Sequence, residues 1–255
     1  MRAFTAFFKK ECLDLLRTGK LYILGIIFCL FGIMNPAIAK LTPLLLELLS
    51  DSLSENGMTV TAVSVDAITS WTQFFKNIPM ALIAFVCMFG NAFTKEYESG
   101  TLLLVLTKGM PRYKVYISKV TVQMLFWTIG YWLCFGITYG YNAFYWDNSV
   151  TVGLWPAVIG YWSFGIWVIS LLSLLSVLSS SYIGVLLGTG AIVFLCYLLS
   201  AIPTIQPYLP TAMTDATQLM KPFEASAYFK PFIATASTGI GALLLSVPLF
   251  NHKQL

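Results

Sequence analysis

Six apolar runs decide what this chain can become. They cover roughly 21–39, 77–93, 115–141, 153–178, 182–201 and 232–250, each near or above the ~20 apolar residues that cross a bilayer as a helix. Hydrocarbon offers no partner to backbone N–H and C=O groups, so segments of this length must satisfy them internally as helices. Only 10% of the 255 residues are charged, against about 25% in soluble domains. That is too little polar surface to cover a globule in water. The expectation is an all-α membrane protein with one transmembrane domain over residues 1–255.

Lysine and arginine set the sidedness. With the N-terminus in the cytoplasm, Arg2, Lys9, Lys10, Arg17, Lys20, Lys95, Lys108, Arg112, Lys114, Lys119 and Lys253 lie inside. Only Lys40, Lys76, Lys221 and Lys230 lie outside. Both termini are therefore expected in the cytoplasm, in a multi-pass protein of the cytoplasmic membrane. The net charge of +4 then follows from topology and implies no nucleic-acid partner. The first apolar run follows a basic segment and lacks a small-residue cleavage site, so it reads as a span and not as a signal peptide. The five cysteines sit in or beside spans with no CxxC pair, as small packing residues do, and the lone His252 gives no metal-site pattern.

Residues 1–19 read as an amphipathic elbow helix on the inner interface. Phe4, Phe7, Phe8, Cys12, Leu15 and Leu16 recur at helical spacing opposite Arg2, Lys9, Lys10 and Arg17. Glu11 falls inside the apolar arc. A carboxylate there needs a partner. One reading has it snorkel to water; the other pairs it with a basic residue of 108–119 or with a cytoplasmic subunit. After the first span, 41–53 reads as a second amphipathic helix with Pro43 in its first turn, followed by a polar stretch to Ser70. Trp71, Phe74 and Phe75 are expected at the outer mouth of the second span, as an interface belt or as a cargo entrance and outer gate.

The loop 94–114 is a charged island between two apolar runs. Ser99 is expected to cap a short helix over 100–107, with Glu96 and Glu98 at its positive end. Lys108 and Gly109 would close it, and Pro111 opens the next helix. Leu102, Leu103 and Leu106 form its face, with Thr101 and Val105 beside them. Topology alone explains the basic residues but neither the glutamates nor the double capping, so the loop reads as a rigid contact element. Arg112, Lys114 and Lys119 are expected near the headgroups. The third span carries aromatics, Trp127 and Tyr131 among them, expected to crowd toward the outer face. Gly184, Gly188 and Gly190 in the fifth span permit close helix approach. Residues 201–231 hold five prolines, with Thr211 expected to cap a short helix ending near Met220. The segment is too broken to span and reads as a re-entrant or interfacial outer hairpin.

Several signatures are missing. There is no G-x-x-x-x-G-K-[ST], no H-E-x-x-H and no G-x-S-x-G. No charged residue sits in the middle of an expected span, which argues against ion-coupled transport and intramembrane proteolysis. A transporter of this kind needs energy from another polypeptide.

With these parts in order, the chain resembles the permease subunit of ABC-2 type transporters. The elbow with Phe8-Lys9-Lys10-Glu11 and Leu16-Arg17 is similar to the family's opening. The group Glu98, Gly100-Thr101-Leu102, Arg112 and Lys119 resembles its coupling-helix region. The family often carries Pro-x-Ser-Arg there; here Pro111 adjoins Arg112 directly. The resemblance implies two permeases, identical or sister chains, bound to two ATP-binding subunits that carry ATP and Mg; this chain binds no cofactor and is not itself an enzyme. It implies that Phe8, Glu11, Glu96, Glu98, Gly100, Thr101, Leu102, Leu106 and Arg112 couple to the ATPase. It also implies that spans one, two and five line a path for exported cargo. Aromatic, uncharged spans suit an amphipathic or hydrophobic cargo, peptide or antibiotic-like. The alternative is a membrane scaffold or immunity protein that moves nothing.

Overall fold

The computed structural model describes residues 2–55, 66–107, 109–220 and 225–253. All regular elements among them are helical. They are α1 (Arg2–Arg17), α2 (Lys20–Glu55), α3 (Ala67–Phe89), α4 (Thr94–Glu98), α5 (Thr101–Thr107), α6 (Arg112–Tyr145), α7 (Leu154–Leu178), α8 (Tyr182–Leu199) and α9 (Ala225–His252). Six of them, α2, α3, α6, α7, α8 and α9, are long and apolar enough to cross a membrane. Contacts of Lys10 with Glu96 and of Arg112 with Lys253 bring α1, the α4–α5 loop and the foot of α9 to one end of the bundle, called here the near end.

α7 is the central span. It is apolar all round, as a helix surrounded by protein should be, and buries Tyr161, Phe164, Ile169 and Leu172. α8 is the least covered: Ile183, Leu187, Phe194 and Leu198 lie open along it. Such a face suits lipid or a second chain and not water. The aromatics form the core. Trp71 stacks on Phe135 at 5.3 Å, and Phe74 meets Tyr131 edge-on at 5.9 Å. Trp127 fits because residue 165 is glycine: a Cβ there would stand 2.2 Å from its indole.

Three local expectations change. The helix expected over 41–53 does not exist separately; α2 runs unbroken through Pro36 and Pro43. A helical proline orphans the carbonyl four residues back, which is tolerated in membranes when a neighbour reclaims it. Pro36 frees the Gly32 carbonyl, and Thr138 Oγ1 of α6 donates to that oxygen at 3.0 Å. The same hydroxyl accepts from Asn35 Nδ2 at 3.2 Å, and Asn77 Nδ2 donates to Asn35 Oδ1 at 2.8 Å. This buried polar ladder joins α2, α3 and α6. Second, α3 starts at Ala67, its end capped by Asp66, which accepts from Thr69 N. Third, the expected helix over 211–220 is instead a run of 3-10 turns at Gln206–Tyr208, Pro210–Thr214 and Ala216–Met220. Asp215 breaks it by accepting from the Thr217 amide and hydroxyl. This broken segment lies along α7, where Gly153 N donates to Leu219 O and a Cβ on Gly160 would come 3.1 Å from the Met213 carbonyl. From Gly153 to Gly160 is about 10 Å of helix. The stretch 56–65, part of the polar outer segment, and Lys221 and Pro222 of the hairpin lie outside the described residues.

Candidate functional site

The charged loop is built by α3 running past its last turn into α4, α5 and the start of α6. Gly100 (φ 65°) and Gly109 (φ 84°) occupy the left-handed region that favours glycine and flank α5 at both ends. Ser99 does not cap α5. It ends α4 in the right-handed region, and its hydroxyl lies 2.8 Å from that of Thr101. Glu96 and Glu98 therefore belong to α4 and not to the first turn of α5; Lys108 lies outside the described residues. Leu102 anchors α5 to the bundle. It is 2% exposed and clusters with Phe7 of α1, Phe93, Val115, Tyr116 and Phe250 of α9. Val105 and Leu106 are half-buried against the same cluster. Leu103 faces outward at 52% exposure, and Thr101, Lys95 and Glu98 are exposed beside it.

Beneath the loop stands a balanced ionic quartet. Lys119 Nζ donates to Glu11 Oε2 at 2.9 Å and to the Ala92 carbonyl at 3.0 Å, and lies 3.2 Å from Glu96 Oε2. Lys10 Nζ bridges the other two oxygens, Glu96 Oε1 at 2.7 Å and Glu11 Oε1 at 2.9 Å. Two cations and two carboxylates cancel, which is what makes burial of Lys119 affordable. Burial would raise the Glu11 pKa, but the Lys119 charge and the hydrogen bond from Lys10 outweigh it and hold the carboxyl below its ordinary value. For Lys10, burial pulls down while the two glutamates carry the ammonium up to about 12. A cavity of about 340 Å³ opens beside the quartet, reached by Asp14, Lys20, Lys95 and Gln123.

The expected partner of Glu11 is thus Lys119, from the segment where one was expected. Lys119 itself does not face outward. It lies two turns inside α6 and is 3% exposed. The clue was its register: it falls between Tyr116 and Gln123 on the buried stripe of α6. Phe8 packs against the main core and stacks on Phe4 at 6.3 Å. Arg112 points away from the quartet. Its Nη1 donates to the carbonyls of Phe250, Asn251 and Lys253 at the foot of α9. Glu98 lies on the flank facing the start of α8, near Ser181 and Tyr182. Trp71, Phe74 and Phe75 do not form the exposed interface belt or cargo entrance expected of them, although Trp71 stays near that end of α3, its Nε1 donating to Asn148 Oδ1 at 3.1 Å. The three are 0%, 0% and 5% exposed, because the helix that carries them begins earlier and they pack between α6 and α7. Trp127 and Tyr131 are likewise core residues and not an outer belt. Sequence reasoning missed Phe250 and Lys253 as neighbours of the loop, since both join it from the far end of the chain.

These observations define a class: a multi-pass helical membrane protein whose near end presents a braced, partly exposed loop. The family model described as "ABC-2 family transporter protein" matches residues 5–238, and the chain belongs to that family. It is thus a membrane component of an ABC-2 transporter, in a family whose members normally work with an ATP-binding subunit and are generally not themselves catalytic. No curated protein matches the chain.

Proposed function

We propose that this chain is the permease of an ATP-driven exporter, and that the exposed side of α4 and α5 docks on a separate ATP-binding subunit. The observation that carries this reading is the two-sidedness of α5: Leu102 is locked into the bundle while its neighbour Leu103 stands open. A short helix held so firmly on one face transmits force applied to the other. The quartet extends that hold to α1, so elbow and loop move as one body.

On this reading the near end is cytoplasmic, two permeases assemble with two ATP-binding subunits, and ATP and Mg reside on those partners. Cargo is amphipathic or hydrophobic, peptide or antibiotic-like, in keeping with the uncharged aromatic spans. Phe8, Glu11, Glu96, Gly100, Thr101, Leu102 and Leu106 act as the bracing of the docking element, and Glu98 with Leu103 as its contact surface. Glu98→Arg and Leu103→Asp test this. Both should insert and fold normally yet lose most co-purification of the ATP-binding subunit and most export. Normal capture and export by both variants would remove the docking assignment and favour a scaffold or immunity protein.

A further inference from the structure

At the near end, spans alternate in direction, so helix N-termini stand beside helix C-termini. A cation in the first turn is unfavourable for its own helix and favourable for a neighbour's exposed carbonyls. Lys20, the first residue of α2, donates to the Met88 carbonyl in the last turn of α3 at 2.6 Å. Arg112, the first residue of α6, donates to three carbonyls at the end of α9, the shortest contact being 2.6 Å to Lys253 O. Lys253 Nζ in turn donates to the Val177 and Ser179 carbonyls at the end of α7, at 2.7 and 3.2 Å. Cations that look like topology signals are thus spent as caps on other helices.

Two of these caps converge on the docking loop. Lys253 Nζ lies 4.1 Å from the ring centre of Tyr97 in α4. Phe250, fully buried, packs on Phe93 and Tyr116 in the cluster that also seats Leu102. We propose that the foot of α9 is a positioning element for the loop, with Arg112 and Lys253 as its clasp. Phe250 supports α5 from beneath, Lys253 holds α4 by the Tyr97 ring, and Arg112 fixes both to the start of α6. The consequence for the proposed function, on which this inference rests, is that Arg112 acts inside the chain and does not contact the ATPase. It also gives the loop a direct mechanical link through α9 to the broken segment at the opposite end, whose 3-10 turns lean on α9.

Hydrogen exchange on the full chain in lipid nanodiscs tests the clasp without any partner. Arg112→Met and Lys253→Met should each speed exchange of the amides of 95–110 by about tenfold or more, leaving the middle of α7 unchanged. Lys253→Arg should stay near wild type. Tyr97→Phe, which keeps the ring, should be silent, and Tyr97→Leu should reproduce part of the Lys253→Met effect even if the latter folds poorly. Unchanged exchange over 95–110 in Lys253→Met and Tyr97→Leu overturns the proposal. Loss of partner capture by Glu98→Arg is read separately, so failure of the clasp and failure of the docking reading give different results.

Discussion

Lys119 reaches Glu11 across 108 residues of chain, with Nζ 2.9 Å from Oε2. This contact fastens α1 to the third span, and it joins the quartet under the charged loop. The two lysines of that quartet are unequal. Lys119 is 3% exposed and Lys10 48%. Removing one partner of a buried pair costs about 3–5 kcal/mol, whereas an exposed pair is worth about 1 kcal/mol or less. Lys119→Met should therefore lower the melting temperature in detergent far more than Lys10→Met. The reversal Lys119→Glu with Glu11→Lys should recover part of the loss. Equal effects of Lys119→Met and Lys10→Met would contradict the structure.

Acid should loosen the elbow. The Glu11 carboxyl is held below its ordinary 4.5. A depressed folded-state pKa contributes stability that is present above about 4.5 and lost as pH falls through the folded value. Lys10, raised to about 12, works in the other direction: its contribution is full below 10.5 and is lost as pH climbs through that higher value. Thermal melting of wild type should drop below pH 4.5, and Glu11→Gln should flatten the drop. An acid drop of the same size in Glu11→Gln would assign it to another group.

The central aromatic packing should be intolerant of a single methyl group. A Cβ on residue 165 would meet the Trp127 indole at 2.2 Å, and one on residue 130 would meet the Phe28 ring at 2.4 Å. Overpacking of this kind costs about 1–3 kcal/mol. Gly165→Ala should melt earlier than wild type, with part of the loss recovered by Trp127→Phe in the same chain. Gly190→Ala, where nothing lies within 4 Å, should be neutral and serves as the control.

The polar ladder offers a weaker test. Thr138→Val orphans the Gly32 carbonyl and removes a partner of Asn35. Intramembrane hydrogen bonds average about 0.6 kcal/mol and reach about 1.7. Thr138→Val should thus cost clearly less than Lys119→Met, and Thr138→Ser should cost almost nothing. Melting curves of the three variants, measured side by side, give the ranking.

The spans were legible because a run of twenty apolar residues has one stable solution in hydrocarbon. Their ends were not. Pro43 looked like the first turn of a new helix because that is what proline marks in water, but α2 runs on through it. Trp71 looked interfacial because the onset of α3 was placed near Asn77 instead of Ala67. Composition also does not say which way an aromatic faces. Glu11 called for a partner and 108–119 was one expected source, but no local pattern singled out Lys119, which looked like one more inner charge. Ser99 looked like a cap because Ser-Gly-Thr reads equally as the end of one helix and the start of another. The charged loop stood out by its glutamates and glycines, while what packs beneath it, Phe250 and Lys253, arrives only by folding.

The central claim is that the exposed side of α5 meets an ATP-binding subunit. Its most direct test is a photo-cross-linking residue at position 103, activated in native membranes, with the captured protein identified by mass spectrometry. The account predicts a covalent product with a protein carrying a P-loop, lost when Glu98→Arg is added. A chain that purifies without such a protein, and gives no cross-link from position 103 to any nucleotide-binding protein, would contradict it.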